Sequence, residues 1–203
     1  MRFPSLHRTV SDRQASTHRP AGVHALRRGV FALVLLAAPF TADAALSKHG
    51  TAEVAFDARA TGGLAIRGTT NDLRVQEQGQ HVVVTVPLAS LTTGIALRDK
   101  HMRDKYLEVA KYPEAKLKVP RSSLAFPSAS SPSSRTLDGH LTIHGRTRPT
   151  SFRYKASRHG DVFRVAGSVR VDMTDHGIEQ PSFMGVKVAK EVNVNVRFEV
   201  KDP

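Results

Sequence analysis

From Val192 to Val200 the chain reads Val-Asn-Val-Asn-Val-Arg-Phe-Glu-Val, apolar at every even position and polar at every odd one. A period of two places all the apolar side chains on one face of an extended strand, so this segment can bury that face and must wet the other. As a helix it would spread the same residues around its whole circumference. The pattern returns in Phe163, Val165, Gly167, Val169, Val171 and Met173, set against Arg164, Ser168, Arg170 and Asp172, and again in Val82, Val84, Val86 and Leu88. Shorter runs over 53–59, 64–67, 72–76, 115–119, 137–144 and 150–155 add further strands. Thr61-Gly62-Gly63, Gln78-Gly79, Gly145-Arg146-Thr147 and His159-Gly160-Asp161 supply glycine where a tight reversal needs positive φ, so antiparallel hairpins are expected to join them.

One stretch breaks this rhythm. Met102, Tyr106 and Val109 are spaced i, i+4, i+7 among charged neighbours, which predicts an amphipathic helix over 97–112, with Asp99 as its N-cap and Tyr112-Pro113 as its stop. The Ser/Pro-rich residues 127–134 lack an apolar anchor and are expected to form a surface loop. Many strands with one helix leave exposed sheet edges unless the sheet closes on itself, which favours a barrel; alternation alone also fits a sandwich.

Arg27-Arg28 leads into the apolar run of residues 30–38, and Ala42-Asp43-Ala44 follows. That order, basic then apolar then Ala-x-Ala, is the pattern of a cleavable export signal, and the run is about half the ~20 residues a membrane-spanning helix needs. Residues 1–44 are therefore expected to be a signal peptide with a long Arg- and His-rich leader, leaving 45–203 as one domain in the periplasm. The Sec route is favoured over the twin-arginine route. Cysteine is absent, so the folded domain has no disulfide and no thiolate chemistry.

The chain carries 30 Lys and Arg against 18 Asp and Glu, and the basic excess survives removal of the first 44 residues. For an exported protein this points to anionic lipid headgroups of a membrane surface, or cell-wall polymers, as neighbours rather than to nucleic acid. No G-x-S-x-G, H-E-x-x-H, G-x-G-x-x-G or P-loop pattern occurs, and no enzymatic activity, cofactor or metal is expected. His140 and His144 share a strand face about 13 Å apart, too far to hold one ion together, and both are expected to face solvent. Asp175, His176 and Glu179 read as a turn.

The segment from Leu91 through Asp99-Lys100-His101 to Lys111-Tyr112-Pro113 and Ala115 resembles the signature stretch of the YceI-like, polyisoprenoid-binding family. Gly139-His140-Leu141-Thr142-Ile143-His144-Gly145 and the closing alternating strand resemble later parts of the family in the same order. The resemblance covers residues 46–203. It departs at 56–68, which lack the His-containing turn common in other members.

The resemblance implies an all-β, extended, lipocalin-like antiparallel barrel of about eight strands, with the short amphipathic helix closing one end. It also implies a non-covalently held ligand in the central pore, a long isoprenoid lipid or prenylated quinone. The inward apolar rows nominate the pore wall: Val82, Val84, Val86, Leu141, Ile143, Phe152, Tyr154, Phe163, Val165, Val169, Val194, Val196 and Phe198. A long hydrocarbon tail needs only a dry continuous channel, each buried methylene contributing ~0.8 kcal/mol. Tryptophan is absent and inward positions are mostly slender, which leaves room along the axis. Asp99, His101, Arg103, Tyr106, Tyr112 and Pro113, from the signature stretch, are candidates for the pore mouth or for holding its structure. The alternatives are a basic membrane- or partner-interaction module whose core is filled, and an enzyme acting on a quinone-like substrate.

Overall fold

A computed structural model of the chain describes residues 46–128 and 131–201; the segment read as a signal peptide lies outside them. Ten strands run in chain order: β1 Ser47–Ala60, β2 Ala65–Thr70, β3 Arg74–Gln78, β4 His81–Pro87, β5 Glu114–Pro120, β6 Ser133–Ile143, β7 Arg146–His159, β8 Val162–Asp172, β9 Ser182–Phe183 and β10 Val186–Lys201. A helix, α1 Ala96–His101, continues as a single π turn over Met102–Tyr106.

Nine strands form one hydrogen-bonded path, β2-β1-β10-β8-β7-β6-β5-β4-β3, with the two-residue β9 paired to the start of β10. Every pairing is antiparallel. The curled sheet is the lipocalin-like antiparallel architecture expected. It has nine strands on its path rather than about eight because residues 71–73 interrupt the chain between β2 and β3 at the corner where the path meets itself. There Leu73 is buried to 2% exposure.

No ladder joins β3 to β1 among the described residues, and side chains close that seam. The Leu46 N–H donates to the Glu77 carboxylate at 3.0 Å. Leu46, Ala52, Val54, Leu73, Val75 and Val82 pack in one cluster. The β1–β10 register slips between His49 and Ala52 and again between Ala58 and Ala60, and bulges of this kind bend a sheet sharply enough to curl it.

On β2, Gly68 pairs with Phe56, whose ring lies across it; a Cβ built at Gly68 would come within 2.1 Å of Phe56 Cε1. The ring therefore covers backbone that no side chain could occupy. Gly68→Ala is expected to drive the ring off its rotamer and cost about 1–3 kcal/mol, as overpacking does elsewhere, read as a lower urea midpoint. Adding Phe56→Leu should recover part of that loss.

Four local expectations are corrected. The helix does not extend over 97–112, because its last turn widens, with Leu107 N–H donating to Met102 O and Val109 N–H to Arg103 O, and Glu108 takes φ 43°. Asp99 is not the N-cap: Ile95 holds that position, and Asp99 lies one turn inside. The reversal placed at residues 145–147 is a two-residue turn at His144 and Gly145, with φ 51° and 69°, and Arg146 and Thr147 belong to β7. His140 is exposed as expected, but as a turn residue His144 leaves the strand alternation; its imidazole packs 4.5 Å from the Tyr112 ring and 2.8 Å from the Glu108 carboxylate.

Candidate functional site: an apolar tube with one sealed end

The inward rows of the curled sheet enclose a cavity of about 770 Å³. Cross-strand register brings these rows face to face. Val194 pairs with Val169, and Val169 in turn with Phe152; Val196 pairs with Gly167, and Gly167 with Tyr154. Val84, Val86, Val165, Val169, Val194, Val196 and Phe198 all have inward parity, yet each remains part-exposed. In a filled core they would be fully buried, so the accessible surface they keep is the wall of a hollow.

All thirteen residues nominated for the pore wall line this cavity. Phe56, Ile66, Val75, Leu117, Val119 and Leu124, among others, also line it and were not singled out from sequence. β1, β2, β3 and β5 are shorter or less regular in their alternation, which left their inward members hard to read.

The end near Val200 is sealed. The segment after β5 turns at Arg121–Ser123 and lays Leu124 and Phe126 across it. Phe126 meets Phe163 edge-on with centroids 5.2 Å apart, and the Arg121 guanidinium covers its other face at 4.0 Å. Arg121 is paired with Glu77, and the Tyr154 hydroxyl accepts the Ala125 N–H at 2.9 Å. The Tyr154 hydroxyl, deep on the wall, is thus satisfied, and the described wall around it is hydrocarbon.

The opposite end is the mouth. Thr93, Arg98, His101, Tyr106 and Ser182 supply its polar groups. Lys116 and Ser168 also border the cavity but are exposed strand residues. A lid made of α1 and the π turn, with its lead-in after β4, lies across part of the mouth. A two-way bridge between Thr69 and Thr92 ties this lead-in to β2, at 2.8 and 3.0 Å.

The lid is then pinned by Asp99, which is 5% exposed. Its carboxylate accepts from the Thr92 hydroxyl at 2.5 Å, from the Thr93 N–H at 2.7 Å and from the Thr93 hydroxyl. Arg98 donates to the Thr93 hydroxyl and carbonyl, and Arg103 to the Leu91 carbonyl at 3.0 Å. Beyond the π turn, Glu108 holds both His144 and Lys111, and Tyr112 lies against Gly145. The Tyr106 hydroxyl donates to the Ser182 carbonyl and accepts from its N–H, both at 3.3 Å, linking the lid to β9.

Of the six signature residues nominated for the mouth, only His101 and Tyr106 reach the cavity; Asp99, Arg103, Tyr112 and Pro113 instead hold the lid and its anchor in place. His176, read from sequence as part of a turn, is buried at the end of such a turn, with its Nδ1 3.0 Å from the Arg146 carbonyl. Among the described residues no group of three His, Asp or Glu side chains could hold a metal ion.

The lid's anchors predict how it responds to acid. Burial pushes the Asp99 carboxyl up, but the bonds from Thr92 and Thr93 and the charge of Arg103 outweigh it and hold the group below its usual range. Glu108 is held low by hydrogen bonds from Lys111 and His144. Asp172, which caps the turn at Met173–His176, is brought down to about 2 by Lys190 and Thr174. A carboxyl lowered in the fold gives its full support above its unfolded value near 4 and loses it as pH falls through the folded one. Amide protection in residues 91–112 and at the Asp172 turn is therefore expected to fall as pH drops below about 4 through each group's lowered folded value, about 2 for Asp172. Exchange monitored by NMR across that window checks both.

Comparison with known proteins places this geometry. A UPF0312 protein of Pseudomonas savastanoi pv. phaseolicola is 29% identical over 185 residues, spanning 83% of this chain and 91% of that one. A solved polyisoprenoid binding domain from Saccharophagus degradans, implicated in plant cell wall breakdown, superposes with a TM-score of 0.67 at 17% identity, covering 78% of this chain and 98% of that one. Burkholderia cenocepacia BcnA superposes with a TM-score of 0.58 at 15% identity, over 73% and 95%. At these identities the two structures share a fold with this protein, the same curled antiparallel sheet. The pattern of the YceI-like domain matches residues 40–200, and the chain belongs to that family.

Proposed function

We propose that this protein is an exported carrier that holds one long isoprenoid chain, of a polyprenyl lipid or a prenylated quinone, with the tail in the tube and the head group at the mouth. The observation that carries the reading is the part-exposed inward hydrocarbon of β4, β8 and β10 around a cavity of about 770 Å³, sealed at one end. A dry tube of this kind gains free energy from every methylene it covers and has no polar group along its length to leave unpaired. Arg98 and His101 lie at the mouth, where a phosphate or a quinone oxygen would meet them. The Saccharophagus degradans domain of the same fold, described as polyisoprenoid binding, supports the ligand class.

The wall offers nothing that chemistry on the tail would use, which favours carriage over catalysis. Export to the periplasm rests on the basic, apolar and Ala-x-Ala order of residues 27–44. N-terminal sequencing of the protein from its host should begin at Ala45. The ligand class is tested by titrating a series of polyprenols of increasing length. Affinity should rise with each isoprene unit and level off once the tail fills the tube, while unprenylated head groups bind weakly. Affinity independent of tail length would refute the reading.

A further inference from the structure

The large apolar side chains most exposed on the described surface are Leu64, Ile95, Leu97, Phe183, Met184 and Val186, from 38% exposed at Val186 to 87% at Met184. They are far apart in sequence, yet every one lines the mouth of the same cavity. Direct contacts make the rim continuous. Tyr106 bonds Ser182, the His101 and Phe183 rings are 6.0 Å apart, and the Thr61 hydroxyl exchanges hydrogen bonds with the Lys187 backbone at 3.1 and 3.2 Å. Lid, β9–β10 hairpin and β1–β2 turn thus present their apolar tips together.

The hairpin tip is the most telling part. Phe183 pairs with Val186, leaving Met184 and Gly185 as a two-residue turn with φ 48° and 81°. Such turns select Asn, Asp or Gly, which tolerate positive φ and face water. A methionine there sets both preferences aside and gains no burial within the chain. Around the apolar tips the lid and the hairpin carry Arg98, Lys100, Arg103, Lys105 and Lys187, with Asp104 paired to Lys100, while Arg67 on β2 is paired with Asp57 and Glu53.

We propose that this rim docks onto anionic phospholipid bilayers, with Phe183, Met184 and Leu97 entering the acyl boundary and the surrounding cations meeting the headgroups. The inference rests on the reading that the tube takes up a lipid tail, and it adds the route: the tail passes from bilayer to tube through a mouth pressed against the membrane. Apolar tips ringed by cations are the arrangement that holds proteins at an anionic interface, and the positive charge of the chain acts in the same direction. A water-filled gap between membrane and mouth would expose each methylene in transit; contact at the rim removes that barrier.

Because the chain has no tryptophan, Met184→Trp places a single indole at the tip. Its emission is expected to shift to the blue on adding phosphatidylglycerol/phosphatidylcholine vesicles, to be quenched by brominated acyl chains, and to respond far less to phosphatidylcholine alone or at high salt. Phe183→Asp with Leu97→Asp should lower vesicle partitioning on the order of 100-fold. A tube blocked by Val169→Trp and Val194→Trp should still dock, judged by vesicle co-sedimentation, so loss of carriage and loss of docking are separate results. No blue shift with any vesicle, or a blue emission that grows with protein concentration in vesicle-free buffer as rims cover each other in a dimer, would overturn the proposal.

Discussion

Blocking the tube with two indoles, Val169→Trp together with Val194→Trp, is expected to weaken binding of long polyprenols on the order of 100-fold or more while leaving a folded protein. The two valines are direct cross-strand partners on β8 and β10, and both face the cavity while remaining part-exposed. Adding bulk to a packed core usually costs about 1–3 kcal/mol, but here the added rings enter unfilled space, so the thermal midpoint should move little or rise. For the ligand the effect is opposite. Each methylene kept out of the tube forfeits ~0.8 kcal/mol, so denying entry to about four weakens binding on the order of 100-fold. Polyprenol titration beside thermal melting reads both. Unchanged affinity would mean that the tail lies elsewhere.

The second large effect is expected at Asp99. Asp99→Ala removes the acceptor for two threonine hydroxyls and one backbone N–H in a site that is 5% exposed. Leaving those donors unpaired, and the Arg103 charge without its neighbour, should cost about 3 kcal/mol, a thermal midpoint lower by roughly 6–12 °C for a domain of this size. Asp99→Asn should recover little, because its NH2 group points a donor at groups that already donate. The loss is expected to be local as well as global. Exchange protection should fall first over 91–112, and ligand release should quicken as the lid detaches from Thr92 and Thr93.

Most of the fold can be read from the spacing of apolar residues. All of the long strands follow from period-two runs, and the glycines at 62, 79, 145 and 160 stand at or beside the reversals. β9 could not be anticipated, since two residues cannot display a period. The nominated wall residues have the right parity because parity is a local property of the strand. Whether the space between facing rows is filled depends on the circumference of the curl, set by nine strands and two register slips, and no single segment encodes it.

The lid shows the limit from the other side. Met102, Tyr106 and Val109 carry a helical period, but Glu108 turns into positive φ and the π turn shifts the register, so the pattern runs past the helix that forms. Asp99 resembles an N-cap because a short acid near a helix start commonly is one. Its partners instead lie six and seven residues back, within reach only because the Thr69 bridge folds the lead-in over the mouth. The exposed rim was equally hidden. A phenylalanine, a methionine and a valine close together show no strand or helix period of their own, and only the turn at Met184 reveals that they project outward.

Whether the tube holds an isoprenoid tail is decided by native mass spectrometry of the protein purified without detergent from its own host. A 1:1 complex is expected, whose released ligand shows the repeating mass of isoprene units and which disappears in the doubly tryptophan-blocked variant. Protein recovered repeatedly at its bare mass, or carrying the same lipid with the tube blocked, would contradict it.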